Sequence, residues 1–107
     1  MDKVLAVGID VSKASLDVCV LFSKEELHKV YKNNAKGIVK IIKYLNNVGH
    51  TNKFRIVMES TGRYHLLAAL MLYENSFDVR VINPLIAKRY YSSFVRKVKT
   101  DKADPEY

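Results

Sequence analysis

A chain of 107 residues that is 49% hydrophobic has the length of one ordinary domain and enough apolar content for a real core. No apolar run approaches the roughly 18 residues of a membrane span. The N-terminus also lacks the long apolar stretch and small-residue cleavage site of a signal peptide. The net charge of +7 is large for this size and points to anionic partners, while the single cysteine, Cys19, cannot form an internal disulfide and makes a reducing cytoplasm the default compartment.

Lys3 to Asp10 reads as a strand whose near-continuous Val, Leu and Ile content predicts burial on both faces. After the short turn "SKAS", Leu16 to Phe22 is a second strand, close enough to the first to require an antiparallel hairpin. Leu27 to Tyr31 alternates and predicts a third, more exposed strand. Asn34 then caps a helix over Ala35 to Val48, in which Ile38, Ile41, Ile42, Leu45 and Val48 share one face and Gly49 stops the pattern. Phe54 to Glu59 is a fourth strand. A helix over Arg63 to Glu74 follows, with Leu66, Leu67, Leu70 and Met71 as its expected apolar side. Phe77 to Ile82 is a fifth strand, and Asn83 before Pro84 has the N-cap and first-turn signature of a third helix running through Phe94.

The order β-β-β-α-β-α-β-α predicts a mixed five-stranded sheet with helices on both faces, which is the ribonuclease H-like arrangement. In it the first and fourth strands are parallel neighbours about 4.8 Å apart. Asp10 ends the first and Glu59 ends the fourth, so the two carboxylates meet at one edge of the sheet. Like charges that close demand a cation or a raised pKa. An all-oxygen donor set favours magnesium or manganese, which suits phosphodiester chemistry. A second acidic pair, Asp101 and Asp104, stands three residues apart in "KTDKADPEY", flanked by Lys99 and Lys102.

Plainer roles compete for each of these positions. Asp10 fits an Asx turn before "VSK". Glu59 fits a helix start with Ser60 or Thr61 as cap. Asp104 before Pro105 fits an N-cap. Asp17 reads as a solvent-facing strand residue, Cys19 as a small buried hydrophobe, Ser12 as a turn residue and His65 as structural. Between residues 88 and 102, six basic side chains (Lys88, Arg89, Arg96, Lys97, Lys99 and Lys102) face one acid and are interleaved with Tyr90, Tyr91 and Phe94. That mixture suits phosphates and base faces, and it equally suits a solvated helix face with aromatics turned inward.

Taken together, "GIDVSKASLDVCV", "MESTGRYHLLAAL", "VINPLIAKRY" and "KTDKADPEY" resemble the N-terminal catalytic domain of the IS-one-ten family of DEDD transposases, which includes the pilin-gene invertases. The resemblance covers nearly the whole chain, which is expected to be one catalytic domain over 1–107. It implies a RuvC-like, ribonuclease H-like fold and a metal-binding tetrad of Asp10, Glu59, Asp101 and Asp104. It also implies magnesium- or manganese-dependent DNA strand cleavage and rejoining for insertion-sequence mobility. Lys13 and Arg63, with the six basic residues of the 88–102 segment, become the expected DNA contacts. A structured guide RNA in some members, a homo-oligomeric full-length protein and a second, C-terminal domain with a serine nucleophile belong to the same implication. Two departures stand out. The chain stops at Tyr107, so a fragment that cuts DNA poorly is expected, with the tail from about Val95 mobile or ordered only by a neighbouring chain. Pro105 disfavours helical geometry at Asp104, which leaves Asp101 outside a helix that starts there.

An actin-like or sugar-kinase-like ATPase domain shares this topology and a first strand ending "GID". The glycine and threonine typical of its phosphate turn are replaced here by Val11, Ser12 and Lys13. A non-catalytic nucleic-acid-binding module and a four-way-junction resolvase are the remaining alternatives.

Overall fold

Seven elements follow one another in the expected order as far as Ile82: β1 (Ala6–Val11), β2 (Ser15–Leu21), β3 (Glu26–Lys32), α1 (Ala35–Val48), β4 (Arg55–Glu59), α2 (Leu66–Glu74) and β5 (Asp78–Ile82). The computed structural model describes residues 3–48, 53–60 and 62–82. The expected third helix after Pro84, and the tail from Val95, lie outside the described residues.

The strands form one mixed sheet in the order β3-β2-β1-β4-β5. β1 is antiparallel to β2 and parallel to β4, and β4 is parallel to β5. Residue alternation assigns the two faces. Val7, Ile9 and Val11 share one face with their partners Val20, Val18 and Leu16 on β2, and with Ile56 and Met58 on β4. That face forms the main core with Ile38, Ile41, Ile42 and Leu45 of α1 and Ala68 and Leu72 of α2. Both described helices therefore cover the same side of the sheet. Helices were expected on both faces; whether any lies on the other side depends on residues outside those described. On that second face Ala6, Cys19 and Leu21 form a smaller buried cluster.

α1 has the expected limits for local reasons. The Asn34 side-chain oxygen accepts a hydrogen bond from the Gly37 N–H at 2.8 Å, and its carbonyl accepts from the Ile38 N–H at 2.9 Å. At Gly37 the helix crosses the end of β3 so closely that an added Cβ would collide with the Lys32 carbonyl. Tyr44 packs on β3, its ring 6.3 Å from that of Tyr31 and with the Lys29 ammonium 4.6 Å above it.

The fourth and fifth strands end at Glu59 and Ile82 as expected, and the other strand limits shift by one to three residues. The larger correction is α2. It starts at Leu66 rather than Arg63, because residues 62–65 form turns, with the Leu66 N–H donating to the Arg63 carbonyl at 3.2 Å and Gly62 in the left-handed region at φ +55°. The side it buries is Ala68 and Leu72, whereas Leu66, Leu67 and Leu70 are exposed and Met71 is half-buried. This helix is apolar all round, so periodicity could not select its inner face. α2 ends where Ser76 adopts φ 70° and the Phe77 N–H returns to the Leu72 carbonyl at 3.1 Å.

Candidate metal centre

Asp10 and Glu59 come together through the parallel pairing of β1 with β4. Val7, Gly8 and Ile9 pair with Ile56, Val57 and Met58, so Asp10 and Glu59 are the next residue on each strand. Both project from the face opposite the helices, at the carboxyl ends of adjacent strands. Asp10 is exposed and Glu59 half-buried. Neither carboxylate has a hydrogen bond or ion pair within the described residues. The turn after β1 is organised by Ser12 instead: its backbone N–H donates to the Ser15 carbonyl at 2.9 Å, and its Oγ accepts from the Ser15 N–H at 3.1 Å. Nor does Glu59 begin a helix, and Ser60 does not cap one; Thr61 lies outside the described residues. Glu59 ends β4, and the Ser60 N–H extends the sheet by donating to the Ile82 carbonyl at 2.9 Å.

Two neighbours of this pair were not anticipated. Asp17 is the direct cross-strand partner of Asp10, so the face carries three carboxylates side by side rather than two. The alternation of "SLDVCVL" and the tight turn before it contain that information: pairing Val11 with Leu16 forces Asp10 opposite Asp17. Asn33 is the other. Its side-chain amide donates to the Ser12 carbonyl at 2.9 Å and to the Tyr64 carbonyl at 2.8 Å. It thereby ties the turn that follows Asp10 to the turn that follows Glu59. No periodicity signal marks such a bridge, since its partners lie in separate loops.

Lys13 and Arg63, both exposed, belong to these two tied turns. His65, at the start of α2, is buried. Asp101, Asp104, Lys88, Arg89, Arg96, Lys97, Lys99 and Lys102 lie outside the described residues.

The donor set at this edge, carboxylate oxygens from Asp10 and Glu59 with Asp17 adjoining, fits a hard, oxygen-seeking divalent ion. Away from it, on β4 and β5, Asp78 receives the Arg55 guanidinium at 3.2 Å and that of Arg80 at 3.3 Å. The hydrogen bond from Arg55 is the largest influence and holds the Asp78 carboxyl below its ordinary value, with partial desolvation opposing it and Arg80 assisting.

Comparison with known proteins places the chain in a family. A family model described as a transposase, of the DEDD type named for the IS-one-ten elements, matches residues 7–107. The pilin gene-inverting proteins of Moraxella lacunata and Moraxella bovis are each 26% identical over 99 residues, or 92% of this chain. The chain spans 31% of the length of each of these relatives. The family match sets aside the actin-like alternative. No helix among the described residues is long and apolar enough to cross a membrane.

Proposed function

Because this chain belongs to the DEDD transposase family of the IS-one-ten type, we propose that it is the metal-dependent catalytic domain of a DNA recombinase that cleaves and rejoins phosphodiester strands. One observation carries most of this proposal: Asp10, the last residue but one of β1, and Glu59, the last of β4, stand side by side at the carboxyl ends of adjacent parallel strands on one face, without a cationic partner among the described residues. Two like charges held side by side by the core form a site for a cation rather than a stabilising contact.

Asp10 and Glu59 are the residues that would hold magnesium or manganese, with Asp101 and Asp104 completing the set. When bound, such ions supply charge stabilisation at phosphodiester oxygens and activation of an attacking hydroxyl. The chain's own work is to fix the carboxylates through the core, to keep Lys13 and Arg63 at the same edge for backbone phosphates, and to engage DNA through Lys88, Arg89, Arg96, Lys97, Lys99 and Lys102. The name of the Moraxella relatives, pilin gene-inverting proteins, supports site-specific DNA rearrangement as the type of reaction. A structured guide RNA and further copies of the chain complete the proposed assembly.

Manganese titration tests the site directly. Asp10→Asn and Glu59→Gln should each weaken binding by at least about tenfold, corresponding to about 1.4 kcal/mol. In the absence of metal both variants should be at least as stable as wild type, since each relieves carboxylate repulsion. Undiminished manganese binding by folded variants would refute the assignment.

A further inference from the structure

The sheet face that carries Asp10 and Glu59 holds a second group of donors, chemically unlike the first. Cys19 on β2 is the cross-strand partner of His28 on β3, and Glu26 lies two residues before His28 on the same face. Cys19 Sγ is 3.6 Å from His28 Nε2 and 3.7 Å from a Glu26 carboxylate oxygen. That oxygen is 3.8 Å from His28 Nε2. The three atoms thus form a nearly equilateral triangle. Its nitrogen–oxygen edge is too long for a direct hydrogen bond.

The triangle does match the base of a tetrahedral metal site. Metal–sulfur bonds of about 2.3 Å, and metal–nitrogen and metal–oxygen bonds of about 2.0–2.2 Å, place such ligand atoms roughly 3.4–3.6 Å apart at tetrahedral angles. The observed edges need to contract by only a few tenths of an ångström. Gly8, the partner of Cys19 on β1, contributes no side chain to crowd this part of the face. Cys19 is buried, Glu26 half-buried and His28 exposed, so the cluster is anchored in the protein and open toward solvent.

Asp17 supplies an independent feature. Its Oδ1 is buried and has no hydrogen-bond partner among the described residues, and it lies 3.9 Å from His28 Nδ1. That is about 1 Å outside hydrogen-bonding range. A metal-ligating histidine almost always donates its second ring N–H to such an oxygen, which fixes the ring and leaves the other nitrogen for the ion. We propose that Cys19, Glu26 and His28 bind one zinc-class divalent ion, with Asp17 orienting His28 and a fourth position left for water.

Thiolate and imidazole select a softer ion than the all-oxygen edge does. The two sites are also spatially distinct. Cys19 is one strand across and two residues along from Asp10, roughly 8 Å by strand geometry. Paired catalytic ions in phosphodiester chemistry sit only about 3.5–4 Å apart. The bound ion is therefore a clip joining edge strand β3 to β2, with Asp17 standing between it and Asp10.

Calorimetric zinc titration and cobalt spectroscopy on the whole chain test this. One equivalent of zinc should bind with no competition from millimolar-range magnesium, and cobalt should develop thiolate-to-metal charge-transfer absorption. His28→Gln, at an exposed edge position where folding is safe, and Cys19→Ala should each lower zinc affinity by at least the roughly 10–100-fold expected for losing an orienting partner. Asp17→Asn should fall within that range, and Asp10→Asn should leave the zinc equivalent in place. Cobalt binding without the thiolate band, zinc affinity unchanged in His28→Gln, or loss of the zinc equivalent in Asp10→Asn would each overturn the proposal.

Discussion

Asp10 is defined by neighbours that sit far from it in the chain. The strand carrying it buries Val7, Ile9 and Val11 on one side, which leaves Asp10 on the other, beside Glu59 and opposite Asp17. Asn33 holds the flanking turns in place from outside the sheet. Asn33→Ala removes both of its side-chain hydrogen bonds and should cost about 1–3 kcal/mol of stability at about 0.5–1.5 kcal/mol per bond. Because those bonds also relate the turn after Asp10 to the turn after Glu59, manganese affinity should fall in the same variant. Chemical denaturation and metal titration read the two effects separately, and a variant of wild-type stability and affinity would show the bridge to be incidental. At this scale the sequence was informative about Asp10 and Glu59, because a charge ending an apolar strand is visible by itself. Asp17 and Asn33 were set aside or passed over because their roles depend on register and on contacts between loops.

Among the elements, α1 was legible in its limits and its inner face: the Asn34 cap and the 3-4 spaced Ile and Leu residues all lie within one stretch of chain, while the expected stop at Gly49 lies outside the described residues. α2 was legible as a helix but not in orientation, since Leu66, Leu67, Leu70, Ala68 and Leu72 surround it. Only packing against the sheet decides which of them are buried. The pairing of β4 with β5 shows how charge reinforces an element. Arg55 and Asp78 are register partners, and Arg55 is the main cause of the lowered Asp78 pKa. A carboxyl whose folded pKa lies below its unfolded value, here 3.8, adds stability above that value and loses it as pH falls through the folded pKa. Asp78→Asn should therefore melt slightly below wild type at neutral pH, with the gap closing in acid below the usual carboxylate range. The pair is exposed, so the gap should also shrink with added salt. Melting curves across pH check this, and a gap independent of pH would assign the effect to something other than the ion pair.

For the whole molecule, the excess of positive charge is an electrostatic property before it is a structural one. Six of the 18 Lys and Arg residues fall between positions 88 and 102. If Arg96 and Lys97 contact phosphates, replacing both with Gln should reduce the slope of log affinity against log salt for duplex DNA by about 1.8, at about 0.9 per contact. An unchanged slope would mark that stretch as a solvated face. The order of strands was legible because hairpin and crossover rules leave few topologies open. The parallel neighbourhood of β1 and β4 has a further consequence, for the time at which the carboxylate edge comes into being. Cys19 and His28 are nine residues apart in one hairpin, whereas Asp10 and Glu59 are separated by 49 (59 − 10) and meet only after α1 has crossed over. Contacts between distant parts of a chain form late, because loop closure must precede the contacts that reward it. On a ribosome, the hairpin with its sulfur, imidazole and carboxylate would be complete while β4 was still being synthesised. The nascent protein would thus hold a soft-metal ligand set before it had any place for a hard ion, an order that pulse-labelled hydrogen exchange during refolding would reveal as protection of β2 and β3 ahead of β4.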